Sequence, residues 1–279
     1  MVSDNSRVNL VALQMTSTPD VKQNLAFVEE ALSTLPTLLP NLVVLPECFA
    51  YFGGRDRDVL AHAEPRGQGY IETELCRIAR QTQCYIVSGT FPLPADDSDH
   101  FTASSLLISP AGEVLDEYQK IHMFDVCVND NTGSYLESKY TQAGSKVVVV
   151  NTDIGKIGMA VCYDLRFSGL FEAMGDVDII VLPAAFTYRT GEAHWHTLLR
   201  ARAIEKQCFV VAAGQTGIHV NGRETYGHSL VYSPWGDLLA ERASEPGLIS
   251  AIVNLEERDR LKQNMPIAQH NRFRSRFER

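Results

Sequence analysis

Residues 229–236, SLVYSPWG, repeat residues 105–112, SLLISPAG, at an offset of 124 positions (229 − 105). A second pair of segments, QCYIV at 83–87 and QCFVV at 207–211, has the same offset. Chance similarity of short apolar runs explains a single match, but two matches at one offset indicate a duplicated unit. Each half has the pattern of strand, helix, strand, helix, strand and hairpin.

A half of this kind forms a mixed sheet with helices on one face, and its other face must be buried. The equivalent face of the second half is the obvious partner. We therefore predict an α/β fold, a four-layer α-β-β-α sandwich of two mixed sheets packed face to face, internally duplicated. We expect it to form a single domain over residues 1–279.

Local patterns place the elements of the first half. Apolar runs predict strands at 7–15, 41–45 and 84–90 and a hairpin over 106–118, with helices beginning at Pro19 or Asp20 and near residue 71. Residues 51–69 and 121–146 are predicted to be irregular. The turn-prone run 129–133 makes the second of these segments a candidate cover for a site.

Composition excludes several classes of function. A net charge of −9 and a pI near 5.4 argue against binding to nucleic acid or to an anionic membrane surface. No apolar run approaches the roughly 20 residues of a membrane-spanning helix, and the first residues lack the pattern of a signal peptide. The six cysteines form no C-x-x-C pair, which favours reduced thiols and a cytoplasmic location.

The stretch KIGMAVCYDLRF at 156–167 begins as a strand and breaks into a short helix-like run. Cys162 is predicted at the last position of the strand, before a helix start. The partial positive charge of the free N–H groups there favours a thiolate. A buried structural cysteine is the alternative interpretation, since most single cysteines have that role.

Glu47 and Lys120 are predicted at two further strand ends, and each is replaced by an uncharged residue at the equivalent position of the second half. The position equivalent to Glu47 is Ala184 (offset 137), and the one equivalent to Lys120 is Ser244 (offset 124). A cysteine nucleophile needs a base, because a thiol with a pKa of about 8.5 is mostly protonated near pH 7. None of the eight histidines is as well placed as Glu47. A nearby lysine would stabilise the thiolate and then the oxyanion of a tetrahedral intermediate.

Three segments carry a family resemblance: VVLPECF at 43–49, EYQKIHMFD at 117–125 and GMAVCYDLRF at 158–167. They resemble the nitrilase superfamily of carbon–nitrogen hydrolases, whose fold is the sandwich predicted above. The resemblance implies that Glu47 is the general base, that Lys120 stabilises the tetrahedral intermediate and that Cys162 is the nucleophile. It further implies that Glu137 orients Lys120 and that the backbone N–H of Tyr163 completes the oxyanion hole. No metal or organic cofactor is implied, and the family usually forms homodimers or larger homo-oligomers.

Two longer segments, 194–215 and 226–240, resemble the Nit branch, amidases that act on deaminated glutathione through a thioester acyl-enzyme. Relatives of that branch cleave ω-amides of α-keto acids such as α-ketoglutaramate, which is the alternative substrate class. True nitrilases have Trp-Glu after the cysteine, whereas Tyr163-Asp164 here favours an amidase of small carboxylated amides. Ser168-Gly169 departs from the Pro-Glu that the family often has.

The run FTYRTGEAHWH at 186–196 is the predicted pocket wall. Phe186 and Arg189 are the candidate substrate-binding residues there. Arg189 could receive a substrate carboxylate, although a solvated loop arginine is the simpler interpretation. Asp164 is interpreted as a helix cap and Arg166 as a structural ion-pair partner.

Two hypotheses from other classes stay open at this point. A non-catalytic binding or scaffold protein of the same fold would explain the departure at Ser168-Gly169. A metal-dependent hydrolase could use His194 and His196, but residues two apart on a helix do not face each other, so structural roles are favoured.

Overall fold

The computed structural model of the chain describes residues 6–128 and 133–273. The strands of these residues are β1 Arg7–Gln14, β2 Asn41–Val44, β3 Tyr85–Val87, β4 Phe91–Pro94, β5 Phe101–Ile108, β6 Val114–Gln119, β7 Asp125–Cys127, β8 Ser134–Leu136, β9 Thr141–Gln142, β10 Val149–Thr152, β11 Gly155–Met159, β12 Ile179–Ala184, β13 Phe209–Gly214, β14 Thr216–Ile218, β15 Glu224–Tyr226, β16 Ser229–Tyr232, β17 Leu238–Arg242 and β18 Gly247–Asn254. The α-helices are α1 Val21–Ser33, α2 Tyr70–Thr82, α3 Ser168–Ala173, α4 Tyr188–Lys206, α5 Glu256–Asn264 and α6 Ile267–His270. None of the helices in these residues is long and apolar enough to cross a membrane.

Two large mixed sheets have the same topology, as the sequence repeat predicts. The first has the order β18-β1-β2-β3-β5-β4, with β6 and β9 also paired to β5, and the second has the order β10-β11-β12-β13-β16-β17. In each sheet three parallel strands form the centre, an antiparallel strand flanks them on one side, and a hairpin follows on the other. The predicted mixed α/β sandwich is therefore confirmed.

Alternate residues of β1 separate the layers. Leu10 and Ala12 belong to the large apolar core that contains most of the second sheet, whereas Val11 and Leu13 pack in a second core with the buried faces of α1 and α2. Because successive side chains of a strand point to opposite faces, the first sheet lies between its own helices and the second sheet. Buried residues of α3 and α4 lie in the large core, on the side of the second sheet.

The helix ends follow local chemistry. Asp20 caps α1 by accepting hydrogen bonds from the N–H groups of Lys22 and Gln23, as the sequence predicts. Helices α2 and α4 end at equivalent residues, Gln83 and Gln207, with φ angles of 54° and 48°. A left-handed residue at this position ends a helix, so the repeat extends to the backbone conformation of both connections.

The structure also differs from the sequence-based expectations. Residues 51–69, predicted as a loop, contain the 3-10 helix Asp56–His62, and 121–146 contain the hairpin of β7 and β8. Positions 129–132 of the predicted turn lie outside the described residues. Helix α4 begins at Tyr188, inside the run 186–196 that is the predicted pocket wall, and β11 ends at Met159, before Cys162. Short-range patterns do not mark these bounds because packing against the sheet sets them.

Candidate active site

Residues that follow three strands meet at one end of the two sheets. Lys120, directly after β6, places its Nζ 2.7 Å from Oε1 of Glu47, which follows β2. The same Nζ lies 2.9 and 2.8 Å from the two carboxylate oxygens of Glu137. Lys120 and Glu47 are buried, at 2% and 5% exposure, and Glu137 is partly exposed. One buried ammonium is thus shared by two carboxylates.

Cys162 begins the 3-10 helix Cys162–Arg166, three residues after β11 ends. Its φ of 47° lies in the left-handed region, which costs a non-glycine residue about 1–3 kcal/mol. The preceding N–H, of Val161, donates a 2.8 Å hydrogen bond to Oδ2 of Asp164. This bond closes the turn and holds the strained conformation that presents the thiol.

Asp164 connects the segment of Cys162 to the segment of Lys120. Its carboxylate, with 0% exposure, accepts hydrogen bonds from the Tyr118 hydroxyl at 2.7 Å and from the His122 N–H at 3.1 Å. The ring of His122 also contacts this carboxylate, with its Nδ1 2.7 Å from Oδ1 of Asp164. Asp164 therefore caps the turn, as predicted, and also ties together both residues that lie two positions from Lys120.

Glu47 is held by groups from both halves of the chain. Its Oε2 accepts a 2.9 Å hydrogen bond from the N–H of Ala185, directly after β12, while Oε1 accepts from Lys120. Its backbone carbonyl accepts from Nε2 of Gln215 at 3.0 Å. The carboxylate is fixed in position by these contacts.

The charges of the site determine which groups carry protons. Burial raises the pKa of the Cys162 thiol well above its ordinary range, and the Glu47 carboxylate and a hydrogen bond to it raise it further, against the Lys120 ammonium. Burial acts to lower the pKa of Lys120, but the carboxylates of Glu137 and Glu47 outweigh it and hold the pKa well above its ordinary value. Burial raises the pKa of Glu137, against the effect of Lys120. The resting site therefore holds a protonated thiol beside a charged lysine.

A cavity of about 720 Å³ opens above these groups. Glu47, Lys120, Glu137 and Cys162 lie on its lining, and its walls include the aromatic side chains Phe52, Phe91, Phe124, Tyr135, Tyr163 and Phe186. The 121–146 segment contributes to this wall through Phe124, Tyr135 and Glu137. A pocket whose wall is rich in aromatic side chains and that holds a few charged groups is typical of a small-molecule site.

The structure places the two predicted substrate-binding residues differently. Phe186 lines the cavity, whereas Arg189 is exposed on the first turn of α4 and does not. Three other arginines do line it: Arg55, which pairs with Asp58, and Arg166 and Arg223. Arg166 lies 5.3 Å above the Phe186 ring, with Nη1 3.1 Å from Nδ1 of His194, and Arg223 lies over Phe52 at 5.1 Å.

Arg166 is interpreted from the sequence as an ion-pair partner, but among residues 6–128 and 133–273 no carboxylate forms a salt bridge with it. Its position four residues after Cys162 was the available signal for a pocket role. Arg223 lies between β14 and β15, in a hairpin whose path no local pattern predicts.

His194 and His196 have different partners. Nδ1 of His194 faces Arg166, and Nε2 of His196 lies 2.7 Å from Oε1 of Glu241. Neither histidine lines the cavity. The pair required for metal-dependent hydrolysis is therefore not assembled.

Known proteins resemble this chain over almost its full length. It is 39% identical over 268 residues to the deaminated glutathione amidase of Yersinia enterocolitica, covering 95% of this chain and 93% of that protein. The crystal structure of Saccharomyces cerevisiae Nit3, a member of branch 10 of the nitrilase superfamily, matches with a TM-score of 0.84 at 27% identity, covering 96% of this chain and 97% of that one. Caenorhabditis elegans NitFhit matches with a TM-score of 0.88 at 33% identity over 96% of this chain, which spans 65% of that longer protein. The family model for carbon-nitrogen hydrolases matches residues 9–263, so the chain belongs to the carbon–nitrogen hydrolase family, as its three motifs indicate.

Proposed function

We propose that this carbon–nitrogen hydrolase is a cysteine amidase in which Cys162 is the nucleophile, Glu47 the general base and Lys120 the electrostatic stabiliser, with Glu137 orienting Lys120. The observation that carries the proposal is the ion cluster at the cavity floor, where the Lys120 ammonium lies 2.7 Å from Glu47 and contacts both oxygens of Glu137. The thiol of Cys162 lies on the same lining. No metal ion or organic cofactor is needed by this set of groups.

In the first step the Cys162 sulfur attacks the amide carbonyl carbon as the S–H proton passes to Glu47. The raised pKa of the thiol makes this base necessary, since little free thiolate exists at neutral pH. The carbonyl oxygen becomes an oxyanion that accepts hydrogen bonds from Lys120 and from the Tyr163 N–H, which lies in the first turn of a 3-10 helix and has no partner within it.

Collapse of this intermediate breaks the C–N bond, and Glu47 gives its proton to the leaving amine. The acyl group then remains on Cys162 as a thioester. In the second step Glu47 accepts a proton from a water molecule that attacks the thioester carbonyl. The carboxylic acid product leaves and the thiol regains its proton, so the site returns to its starting charge.

The substrate is a small carboxylated amide, with deaminated glutathione as the leading candidate because relatives such as that of Yersinia enterocolitica bear that name. Deaminated glutathione carries a carboxylate at each end, on either side of the scissile amide. Arg166 and Arg223 line the cavity and offer a cation for each. Arg166, on the same 3-10 helix as Cys162, is assigned to the α-keto acid end, and Arg223 to the distal carboxylate. Arg189, being outside the cavity, is not assigned a role.

Assembly and location complete the proposal. A homodimer or larger homo-oligomer is supported by large apolar side chains exposed on neighbouring elements, Trp235, Leu238 and Ile204. All six cysteines are unpaired, which fits a cytoplasmic location. We infer that residues 1–279 form one domain, because both halves contribute to the large core and to the proposed site. Light scattering of the purified chain tests the oligomeric state.

The decisive experiment is intact-mass detection of an acyl adduct on Cys162, with deaminated glutathione and α-ketoglutaramate in competition. Both substrates would leave the same α-ketoglutaryl group on sulfur, so the released amines, cysteinylglycine and ammonia, report the preference. We expect the adduct in the wild type, its absence in Cys162→Ala, and more cysteinylglycine than ammonia. Turnover by Cys162→Ala would contradict the mechanism, and a protein that neither forms an adduct with any of a panel of carboxylated amides nor hydrolyses one would support the alternative of a non-catalytic binding protein.

A further inference from the structure

We propose that His196, His228 and Glu241 form a binding site for a divalent transition-metal ion, separate from the catalytic cavity. Their ligand atoms all lie within 4.8 Å of one another. Oε1 of Glu241 is 2.7 Å from Nε2 of His196 and 2.6 Å from Nδ1 of His228. None of the three residues lines the cavity, so the site is distinct from the amidase chemistry.

Three different elements bring these ligands together. His196 lies on α4, His228 directly precedes β16, and Glu241 lies on β17, whose pairing aligns it with Leu230. A close approach of α4 to the β15 end makes this possible, because a Cβ added at Gly191 would lie 2.3 Å from the Tyr226 side chain. Any other residue at 191 would push His196 away from the sheet.

The backbone of His228 is held in a conformation that aims its ring at Glu241. Its φ is 53°, in the left-handed region, and follows a glycine with φ 72°. Its carbonyl accepts a 2.8 Å hydrogen bond from Nε1 of Trp195, the neighbour of His196 on α4. The Tyr226 ring stacks on the imidazole at 4.2 Å. Two of the ligands are therefore positioned by one buried tryptophan and by a ring stack, as pre-organised ligands require.

The repeated half shows what an ordinary glutamate does at the same position. Glu117 is equivalent to Glu241 at the offset of 124, and Ser104 is equivalent to His228. There the glutamate accepts from the Ser104 hydroxyl at 2.7 Å and pairs with the Arg66 guanidinium at 2.8 Å. One half thus supplies a permanent cation to its glutamate, and the other half supplies two imidazoles that can hold a metal cation instead.

The chemistry of the donor set fits zinc or a similar ion. Two imidazole nitrogens and one carboxylate oxygen are a common three-ligand set for Zn²⁺, with bond lengths of about 2.0–2.2 Å and water as a fourth ligand. A bound ion would take the lone pairs at Nε2 of His196 and Nδ1 of His228, with the N–H proton of each ring on its other nitrogen. All three side chains are partly exposed, which lets the ion enter from solvent.

A bound ion would join α4 to the second sheet. Thr187 and Thr190, at the start of α4, line the catalytic cavity. The ion would therefore stabilise one wall of the cavity without touching the reacting groups. The proposal rests on the cluster alone and not on the amidase mechanism, so either can fail without the other.

The test is a Zn²⁺ titration against a chromophoric chelator, followed by Co²⁺ substitution monitored by visible absorption. Both are done on metal-free protein in a Cys162→Ala background, which removes the active-site thiol as a competing ligand. We expect one ion per chain and a thermal midpoint that rises with added Zn²⁺. We expect His196→Gln and Glu241→Gln to weaken binding at least as much as the roughly 10–100-fold typical of losing an outer partner of a metal ligand.

Two matched controls separate this site from adventitious binding. Glu117→Gln changes the equivalent glutamate of the other half, and His194→Gln changes a histidine two positions away on α4. Both should keep the parent affinity and the Co²⁺ spectrum. The proposal would be overturned if the protein bound no stoichiometric ion. It would also be overturned if normally folded His196→Gln and Glu241→Gln bound the ion with the affinity of the parent protein.

Discussion

The two halves of the chain share a scaffold but not its chemistry. The first half supplies Glu47 and Lys120, and the residues equivalent to these two in the second half are Ala184 and Ser244. The second supplies Cys162. By strand register Leu10 and Ile157 are equivalent, which makes the buried Met15 the counterpart of Cys162. Each half therefore has apolar or neutral residues where the other has reactive ones, and only their face-to-face packing assembles the proposed site.

The largest effect is expected from replacing the base that the first half contributes. Glu47→Gln keeps the size of the side chain but cannot accept the thiol proton, so kcat should fall about 10²–10⁴-fold. Ser244→Ala, at the counterpart of Lys120 in the other half, is the control and should be fully active. Steady-state amide hydrolysis measures both, and near-normal kcat in Glu47→Gln would remove Glu47 from the mechanism.

Removing the cation of the first half should cost stability as well as activity. Lys120→Met leaves the buried Glu47 and the partly exposed Glu137 without their shared cation, and breaking a buried ion pair in this way costs about 3–5 kcal/mol. Urea unfolding should report this loss at neutral pH. The double variant Lys120→Met with Glu137→Gln should recover part of it, because one of the two unpaired charges is then gone. Equal stability of all three proteins would contradict the proposed role of the cluster.

A contact between the halves should make stability depend on pH. Burial lowers the pKa of His219 to about 4, and its Nδ1 donates to the Ser17 carbonyl of the first half at 3.1 Å. Since the folded protein resists the proton that the unfolded chain accepts near pH 6.5, stability should fall by about 3 kcal/mol as the pH drops from 6.5 to 4. Unfolding free energies measured across this range should depend less on pH in His219→Gln. Identical profiles would show that this histidine is not the source.

The smallest effect is expected from removing one of the two arginines assigned to the ends of the substrate. Arg223→Gln should lower kcat/KM for deaminated glutathione about 10–100-fold, the value of one charge-assisted hydrogen bond, and leave α-ketoglutaramate hydrolysis unchanged. Arg166→Gln should impair both substrates, and Arg189→Gln neither. An equal loss of kcat/KM for both substrates in Arg223→Gln would contradict the assignment of Arg223 to the distal carboxylate.

Much of this architecture was accessible from the sequence, for identifiable reasons. The repeat of 83–87 at 207–211 reflects buried strands next to left-handed helix ends, a combination that few sequences satisfy. Glu47, Lys120 and Cys162 could be placed together because each follows a predicted strand and lies in one of three motifs that resemble a single family. Glu47 and Lys120 belong to the first sheet and Cys162 follows β11 of the second, so the packing of the two sheets joins them.

Other features depend on contacts that no local pattern encodes. Strand β4 contains two prolines and pairs with β5 at the edge of the sheet, so its residues lack a strand signature. Arg166 and Arg223 reach the cavity, whereas Arg189 does not, because the start of α4 at Tyr188 turns residue 189 towards solvent. The cluster of His196, His228 and Glu241 is formed by three elements and has no signature at any one of them.

The pairing of β18 with β1 has a consequence for biosynthesis. All eight residues of β1 pair with β18, so β1 leaves the ribosome long before the strand that covers its outer edge has been made. Until then a strand that is almost entirely buried in the folded protein presents unpaired backbone groups, the usual template for edge-to-edge association between nascent chains. Chaperone dependence during translation, and aggregation of products that stop before residue 247, are the expected cellular costs of closing the sheet last.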